Sequence, residues 1–390
     1  MNIQEIQGFL HEQKLDGWLM ADFHARNSVA IDMLSLPSHL TRRFFYYIPA
    51  IGDPTLLVHN IEKAKFGHVP GKQIPFSSYT VLEQSVATIL SGAKQIAMEY
   101  SPLGRLPYVG LVDAGTIEFV RGLGKEIVSS ADLVANFQAR LTVEQMASHR
   151  IAARNLIEVK NKAFGLIRDS LAASRQITEW DVCAFMLELF EKLDMVTDAG
   201  PNCSLGANAG NPHYEPTPQK SQIIKKNDLV LLDIWAKLKT DKAVYADITW
   251  MGFAGAASAM PAEWVRRFSA IRDARDRAVA FLRENIDKRT VFGYEVDDAT
   301  REVIVAAGLG SYFTHRTGHS IHTATHGPGP NIDNLETEDR RKLQKGHLFS
   351  VEPGVYFDDC GFRTEIDVLI GHDGVEVTTL PLQTEITALF

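Results

Sequence analysis

The sequence predicts an α+β fold in two domains: a smaller N-terminal α/β domain over residues 1–140 and a C-terminal domain over residues 141–390. Three observations lead there. A chain of 390 residues exceeds what one hydrophobic core ordinarily organises. Residues 1–138 alternate short helical and strand patterns. From Thr142 onward, two helical stretches followed by strand-rich sequence occur twice, first over 142–253 and again over 261–390, with little sequence in common.

Each element has its own justification. Residues 2–15 place Ile3, Ile6, Phe9 and Leu10 on one helical face, and 17–23 (GWLMADF) read as a strand. Residues 42–60 read as a β-hairpin, two apolar runs broken by Gly52-Asp53-Pro54. Strands at 95–100 and 125–130, with a helix around 104–120, complete the first layer. Thr142 and Gln145 fit a capping box opening a helix that runs to about Ala173. Thr178 opens another, with Trp180, Ala184, Leu187 and Phe190 at helical spacing. Strands follow over 222–253, helices over 261–285 and 295–307, the latter closed by Gly308, and strands again from 347.

Composition narrows the function. Apolar residues make up 45% and charged residues 23%, ordinary for a globular protein, and the net charge of −8 gives no electrostatic reason to expect nucleic acid or an anionic membrane as partner. The three cysteines, Cys183, Cys203 and Cys360, have no paired short spacing, which argues against a disulfide scaffold and a thiolate zinc site. The N-terminus lacks a basic region followed by an apolar run, and no stretch is long and apolar enough to span a bilayer, so a cytoplasmic setting is expected. Four of the 13 histidines crowd into residues 315–326.

Two hairpins carry the chemical signal. In LVLLDIWAKLKTDKAVYADITWMGF, Asp233 sits on one apolar strand and Asp247 on the next; a turn near Thr240-Asp241 would set them roughly opposite each other on one face. In FSVEPGVYFDDCGFRTEIDVLI, Glu352 and Glu365 flank a turn near Asp358-Asp359. Four carboxylates on otherwise apolar strands repel one another and are costly to bury, and no comparable set of Lys or Arg accompanies them. A cation is the expected partner. The segment 312–333 (YFTHRTGHSIHTATHGPGPNID) adds His315, His319, His322 and His326, and imidazole with carboxylate suits divalent transition metals. Each element alone has an ordinary reading, as an edge residue, a turn or a solvated loop; the ordered combination does not.

This ordered set resembles the pita-bread metallopeptidases: methionine aminopeptidase, aminopeptidase P, prolidase and the metal-free creatinase. The resemblance covers residues 142–390, and the first domain looks like the smaller creatinase-type domain that the proline-specific members carry. It implies a duplicated helix–helix–hairpin catalytic domain and a metal set of Asp233, Asp247, His319, Glu352 and Glu365 holding two divalent ions, manganese foremost, with cobalt, zinc or iron as alternatives. It further implies that His213 (in NAGNPHYEP), His315, His326 and Arg363 bind substrate, that Glu352 moves a proton, that His326 stabilises the oxyanion, and that His213 and His315 line the proline side. Two departures stand out. The spacing of 14 residues between Asp233 and Asp247 calls for a longer loop, and His322 replaces a glycine common in the family, where it would narrow the pocket or add a contact.

The expected function is therefore metal-dependent hydrolysis of the Xaa-Pro bond at the N-terminus of short peptides, by a protein expected to form homodimers. Restriction to dipeptides, as in prolidase, is the neighbouring reading. A non-catalytic pita-bread interaction module, which would carry a degraded metal set, is the reading from another class.

Overall fold

The computed structural model describes residues 1–390, which fall into two compact units, Met1–Gln138 and Ala139–Phe390.

The first unit runs α1 (Ile3–Glu12), β1 (Gly17–Asp22), α2 (Ser28–Met33), β2 (Phe44–Pro49), β3 (Thr55–His59), β4 (Lys72–Phe76), α3 (Tyr79–Ile89), β5 (Gln95–Met98), α4 (Ala114–Gly122), β6 (Glu126–Ser129) and α5 (Ala131–Phe137). Its sheet has the order β4-β3-β2-β1-β5-β6; β1–β2 and β2–β3 are antiparallel, the other pairs parallel. Alternation along β1 explains the layering. Trp18 and Met20 pack with Ile6 and Leu10 of α1 and with α5, while Leu19 and Ala21 pack with Val86 of α3 and Val120 of α4. Helices thus cover both faces. The buried Glu99 carboxylate just beyond β5 accepts from the Trp18 indole (2.6 Å), the Asn27 amide (2.7 Å) and the Ser130 hydroxyl (3.1 Å).

The second unit opens with α6 (Val143–Ala172) and α7 (Glu179–Lys192), each started by a reciprocal capping box, Thr142 with Gln145 and Thr178 with Asp181. There follow β7 (Met195–Val196), β8 (Asn202–Leu205), the short α8 (Gly206–Ala209), β9 (Leu229–Leu238), β10 (Ala246–Phe253), α9 (Ala262–Asn285), α10 (Gly293–Ala306), β11 (Leu348–Val351), β12 (Gly354–Tyr356), β13 (Gly361–Arg363), β14 (Ile366–Gly371), β15 (Gly374–Val377) and β16 (Thr387–Ala388). The two helix–helix–hairpin halves are plain. Val230, Leu232 and Ile234 of β9 pack against Leu156, Val159 and Ala163 of α6. Ile366, Val368 and Ile370 of β14 pack against Ala278 and Leu282 of α9. A strand's period of two then turns Asp233, Glu365 and Asp367 away from the helices, toward the seam between the half-sheets. The seam is stitched by Asp247 N–H donating to Asp367 Oδ2 (2.9 Å) and Glu365 N–H donating to the Thr249 carbonyl (3.2 Å). No helix is long and apolar enough to cross a membrane.

Several expectations need correction. Asp233 and Asp247 are not directly opposed: Asp233 pairs with Thr249, and Asp247 with Trp235. A register shift of two residues leaves every side chain on its face, so the apolar pattern cannot distinguish the two pairings. The connecting loop, 239–245 with Lys242 at φ 56°, decides between them. The helix expected around 104–120 begins only at Ala114, capped by Asp113, because Pro102 and Pro107 break the preceding stretch into short 3-10 turns. Strand β4 and helix α3 were not foreseen.

Candidate metal centre

Strand period and register bring the acidic residues together. Asp233 and Asp247 lie diagonally on the seam-facing side of β9 and β10. In the second hairpin Val351 pairs with Ile366 and Gly354 with Arg363, so the same register carried through the intervening bend sets Glu352 against Glu365. His319 enters from the segment between α10 and β11. Its backbone is locked to β11 on both sides: His319 N–H donates to Ser350 Oγ and Ser350 N–H to the His319 carbonyl, both at 2.9 Å. His319 Nε2 then lies 3.4 Å from Glu352 Oε1 and 3.8 Å from Asp247 Oδ2. One ligand atom from each of Asp247, His319 and Glu365 falls within 4.8 Å of the others, and all three residues are buried.

A second layer orients these groups. Thr249 Oγ1 donates to Glu365 Oε2 (2.8 Å) and accepts from Arg363 Nε (3.0 Å). Arg363 also bonds the Tyr356 hydroxyl (3.0 Å) and forms an ion pair with Asp233. Ser350 Oγ donates to Glu352 Oε1 (3.1 Å).

Electrostatics show what this arrangement requires. Burial, reinforced by the neighbouring Glu365, Asp233, Asp367 and Glu352, pushes the Asp247 carboxyl well above the usual range. Glu365 is raised by burial and by Glu352 and Asp233. Asp233 is raised mainly by burial, against the pull of Arg363. Burial and Arg316 hold the His319 imidazole down at about 3, so it is neutral and able to ligate. Asp247 Oδ1 is buried with no hydrogen-bond partner. Crowded carboxylates, an orphaned oxygen and a neutral imidazole form a donor set that fits divalent transition metals.

The other expected residues surround the centre in a cavity of 1070 Å3 that also takes in Asp233, Asp247, His319, Glu352 and Glu365. His326 is exposed in it, its ring centroid 4.2 Å from that of His319. His315 is half-buried: Nδ1 faces the Arg316 carbonyl (2.7 Å), which leaves Nε2 to accept from the Tyr356 hydroxyl (2.9 Å). His213 lines the cavity from the exposed loop after α8. Arg363 lines it too, with its three guanidinium nitrogens committed to Thr249, Tyr356 and Asp233. His322 lies outside the cavity lining, with its carbonyl accepting from Tyr245 N–H (3.0 Å) and its ring near Lys237.

Four contributors escaped the sequence reading: Thr249, Tyr356, Asp367 and Trp235. Counting by two along the strands from Asp247, Glu365 and Asp233 would have found Thr249, Asp367 and Trp235. Tyr356 has no such signal, because its partners Arg363 and His315 come from other segments.

Two helix-backed half-sheets closing on such a centre constitute the pita-bread architecture. The chain belongs to metallopeptidase family M24, whose sequence profile matches residues 147–372. Among proteins it is similar to, the Xaa-Pro dipeptidase of Lactobacillus helveticus is 30% identical over 176 residues, 45% of this chain and 43% of that enzyme. The chain spans about half the length of the first curated relatives it matches. The solved dipeptidase PepE of Mycobacterium ulcerans superposes with a TM-score of 0.76 at 22% identity, over 99% of this chain and 96% of that one. The solved X-prolyl aminopeptidase of Caenorhabditis elegans, a cytosolic enzyme with a di-nuclear active site, superposes with a TM-score of 0.68 at 16% identity, over 98% of this chain and 62% of that one. At these identities the solved structures speak for the fold.

Proposed function

We propose that this protein is a two-metal Xaa-Pro aminopeptidase, cleaving the bond before a proline at the second position of short peptides. The observation that carries the reading is the convergence of Asp247, His319 and Glu365, with Asp233 and Glu352 beside them, at one end of a histidine-lined cavity. Asp233, Asp247, His319, Glu352 and Glu365 would hold two divalent ions, manganese foremost. Such ions supply Lewis acidity toward the scissile carbonyl and make water acidic enough to attack near neutral pH.

The chain's own groups do the rest. Glu352 is only half-buried, faces the cavity, and is steadied by the Ser350 hydroxyl; it carries the proton from attacking water to the proline nitrogen. Protonation matters because proline leaves as a secondary amine from a tertiary amide. His326, exposed beside His319, donates to the developing oxyanion. His315, held at both nitrogens, and His213 border the proline ring. Arg363 and Thr249 keep Asp233 and Glu365 in place.

One observation favours an aminopeptidase over a dipeptidase. Restriction to dipeptides needs a cation for the substrate's terminal carboxylate. Arg363 is committed to Asp233, Thr249 and Tyr356, and the other guanidinium in the cavity, that of Arg316, lies 3.6 Å from Glu336. The test is hydrolysis of Gly-Pro and of a longer Gly-Pro peptide after reconstitution with manganese, cobalt or zinc. Cleavage of the longer peptide is expected, with loss in His319→Ala and Glu352→Gln. Activity unchanged in both variants would defeat the reading.

A further inference from the structure

The cavity has two chemically different ends. Asp233 and Trp235 are two residues apart on β9 and emerge on the same face. The end at Asp233 lies across from Thr249 and carries Arg363, Tyr356 and His315. The end at Trp235 lies across from Asp247. Trp180, Cys183 and Leu187 of α7, spaced by three and four, form one helical stripe that lines the same cavity.

Trp180, Leu187 and Trp235 are each half-buried. Trp235 is held in place, because its indole Nε1 donates to Asp198 Oδ1 (2.9 Å), and Asp198 in turn accepts from the Thr325 hydroxyl (3.2 Å). An apolar group covering a pinned indole and an apolar helical stripe gains by the hydrophobic effect.

We propose that Trp235, with Trp180 and Leu187 of α7 lining the same cavity, receives a bulky apolar or aromatic side chain on the substrate residue preceding the proline. The assignment rests on the Xaa-Pro reading. With the proline ring at the His315 end, the preceding residue extends across the centre toward Trp235. The cavity that Trp235 lines has a volume of 1070 Å3, and ligand pockets of about 300–1,000 Å3 hold drug-sized ligands. A fixed aromatic surface presents stacking area without ordering cost, so selectivity falls on size and apolarity.

The experiment uses the full chain, reconstituted with manganese, on Gly-Pro, Ala-Pro, Leu-Pro and Phe-Pro. From Gly-Pro to Phe-Pro, kcat/KM is expected to rise about 10- to 100-fold. Trp235→Ala should shrink the Phe-Pro to Gly-Pro ratio about tenfold, and Trp235→Phe should retain most of it. Trp180→Ala probes the same wall from α7 should the first variant not fold. A readout without turnover is the tryptophan emission on titration with free phenylalanine, against glycine as control; the phenylalanine response should fall in Trp235→Ala. A flat peptide panel overturns the proposal. So does a preference for Gly-Pro with Trp235→Ala gaining on Phe-Pro, since the indole would then block the wall. If no Xaa-Pro peptide is cleaved, the peptidase reading fails, and a missing phenylalanine response removes the wall with it.

Discussion

Thr249 is the residue whose removal isolates the design of the centre. Its hydroxyl accepts from Arg363 and donates to Glu365, linking the outer guanidinium to an inner carboxylate. Thr249→Val keeps the shape of the side chain and deletes both bonds. Metal affinity is expected to fall about 10- to 100-fold, read by calorimetric titration of the metal-free protein; unaltered affinity would mean that Glu365 needs no such support. His149 makes a different residue-scale prediction. It is fully buried on α6, between the Tyr245 carbonyl (2.7 Å) and the Thr378 hydroxyl (2.6 Å), and burial lowers its pKa from 6.5 to about 4. A depressed histidine pKa means that the unfolded chain binds the extra proton. The stability it protects is therefore complete above pH 6.5 and is lost as pH falls toward 4. Between pH 7.5 and 5.5 the loss is about 1.4 kcal/mol. Urea midpoints for wild type and His149→Gln at those two pH values should show that part of the pH dependence missing from the variant.

At the scale of elements, the segment carrying His319 is positioned by contact too close for any side chain. A Cβ on Gly318 would stand 1.9 Å from the Ser350 carbonyl oxygen, so only glycine lets this segment lie against β11. Gly318→Ala must push the two apart. A cost of about 1–3 kcal/mol in unfolding free energy is expected. Metal affinity should fall as well, because the hydrogen bonds between His319 and Ser350 hold the backbone that sets the His319 imidazole beside Glu352. Normal affinity at reduced stability would separate the two effects and count against the positioning role. The capping boxes act locally: Thr142→Ala should cost about 1 kcal/mol and leave metal affinity unchanged.

At the scale of the whole molecule, the centre stores repulsion that a bound cation relieves. Asp247 and Glu365 feel the charges of Asp233, Glu352 and Asp367, and Arg363 forms an ion pair with Asp233. A metal bound only to the folded form should stabilise it by about 2.7 kcal/mol at one hundred times its dissociation constant. In a unit the size of Ala139–Phe390 that corresponds to a rise in melting temperature of about 5–10 °C, reversed by a chelator. Asp247→Asn should remove most of this metal-dependent shift. The first unit has its own two clusters around its sheet and holds Trp18, so its unfolding should not follow the metal. Scanning calorimetry with and without manganese tests both points; a shift of equal size in Asp247→Asn would place the ion elsewhere.

Much of this was legible in the chain itself. Alternation on β9 and β14, the boxes at Thr142 and Thr178, and the four carboxylates Asp233, Asp247, Glu352 and Glu365 follow from local periodicity and donor chemistry, which neighbouring residues encode; among the four crowded histidines, the family resemblance singled out His319. Helix α3 was harder to read because Thr80, Val81, Val86 and Thr88 suit strand as well as helix. What only the tertiary structure decided were relations between distant segments: the two-residue offset of Asp233 from Asp247, the commitment of Arg363 to Asp233 across 130 positions, the place of His322 outside the cavity, and the pinning of Trp235 by Asp198. The physical reason is common to all four. A register slip of two keeps each strand's faces intact, and a charged or aromatic side chain settles by the partners within its reach, which exist only once the two helix-backed halves have closed on each other.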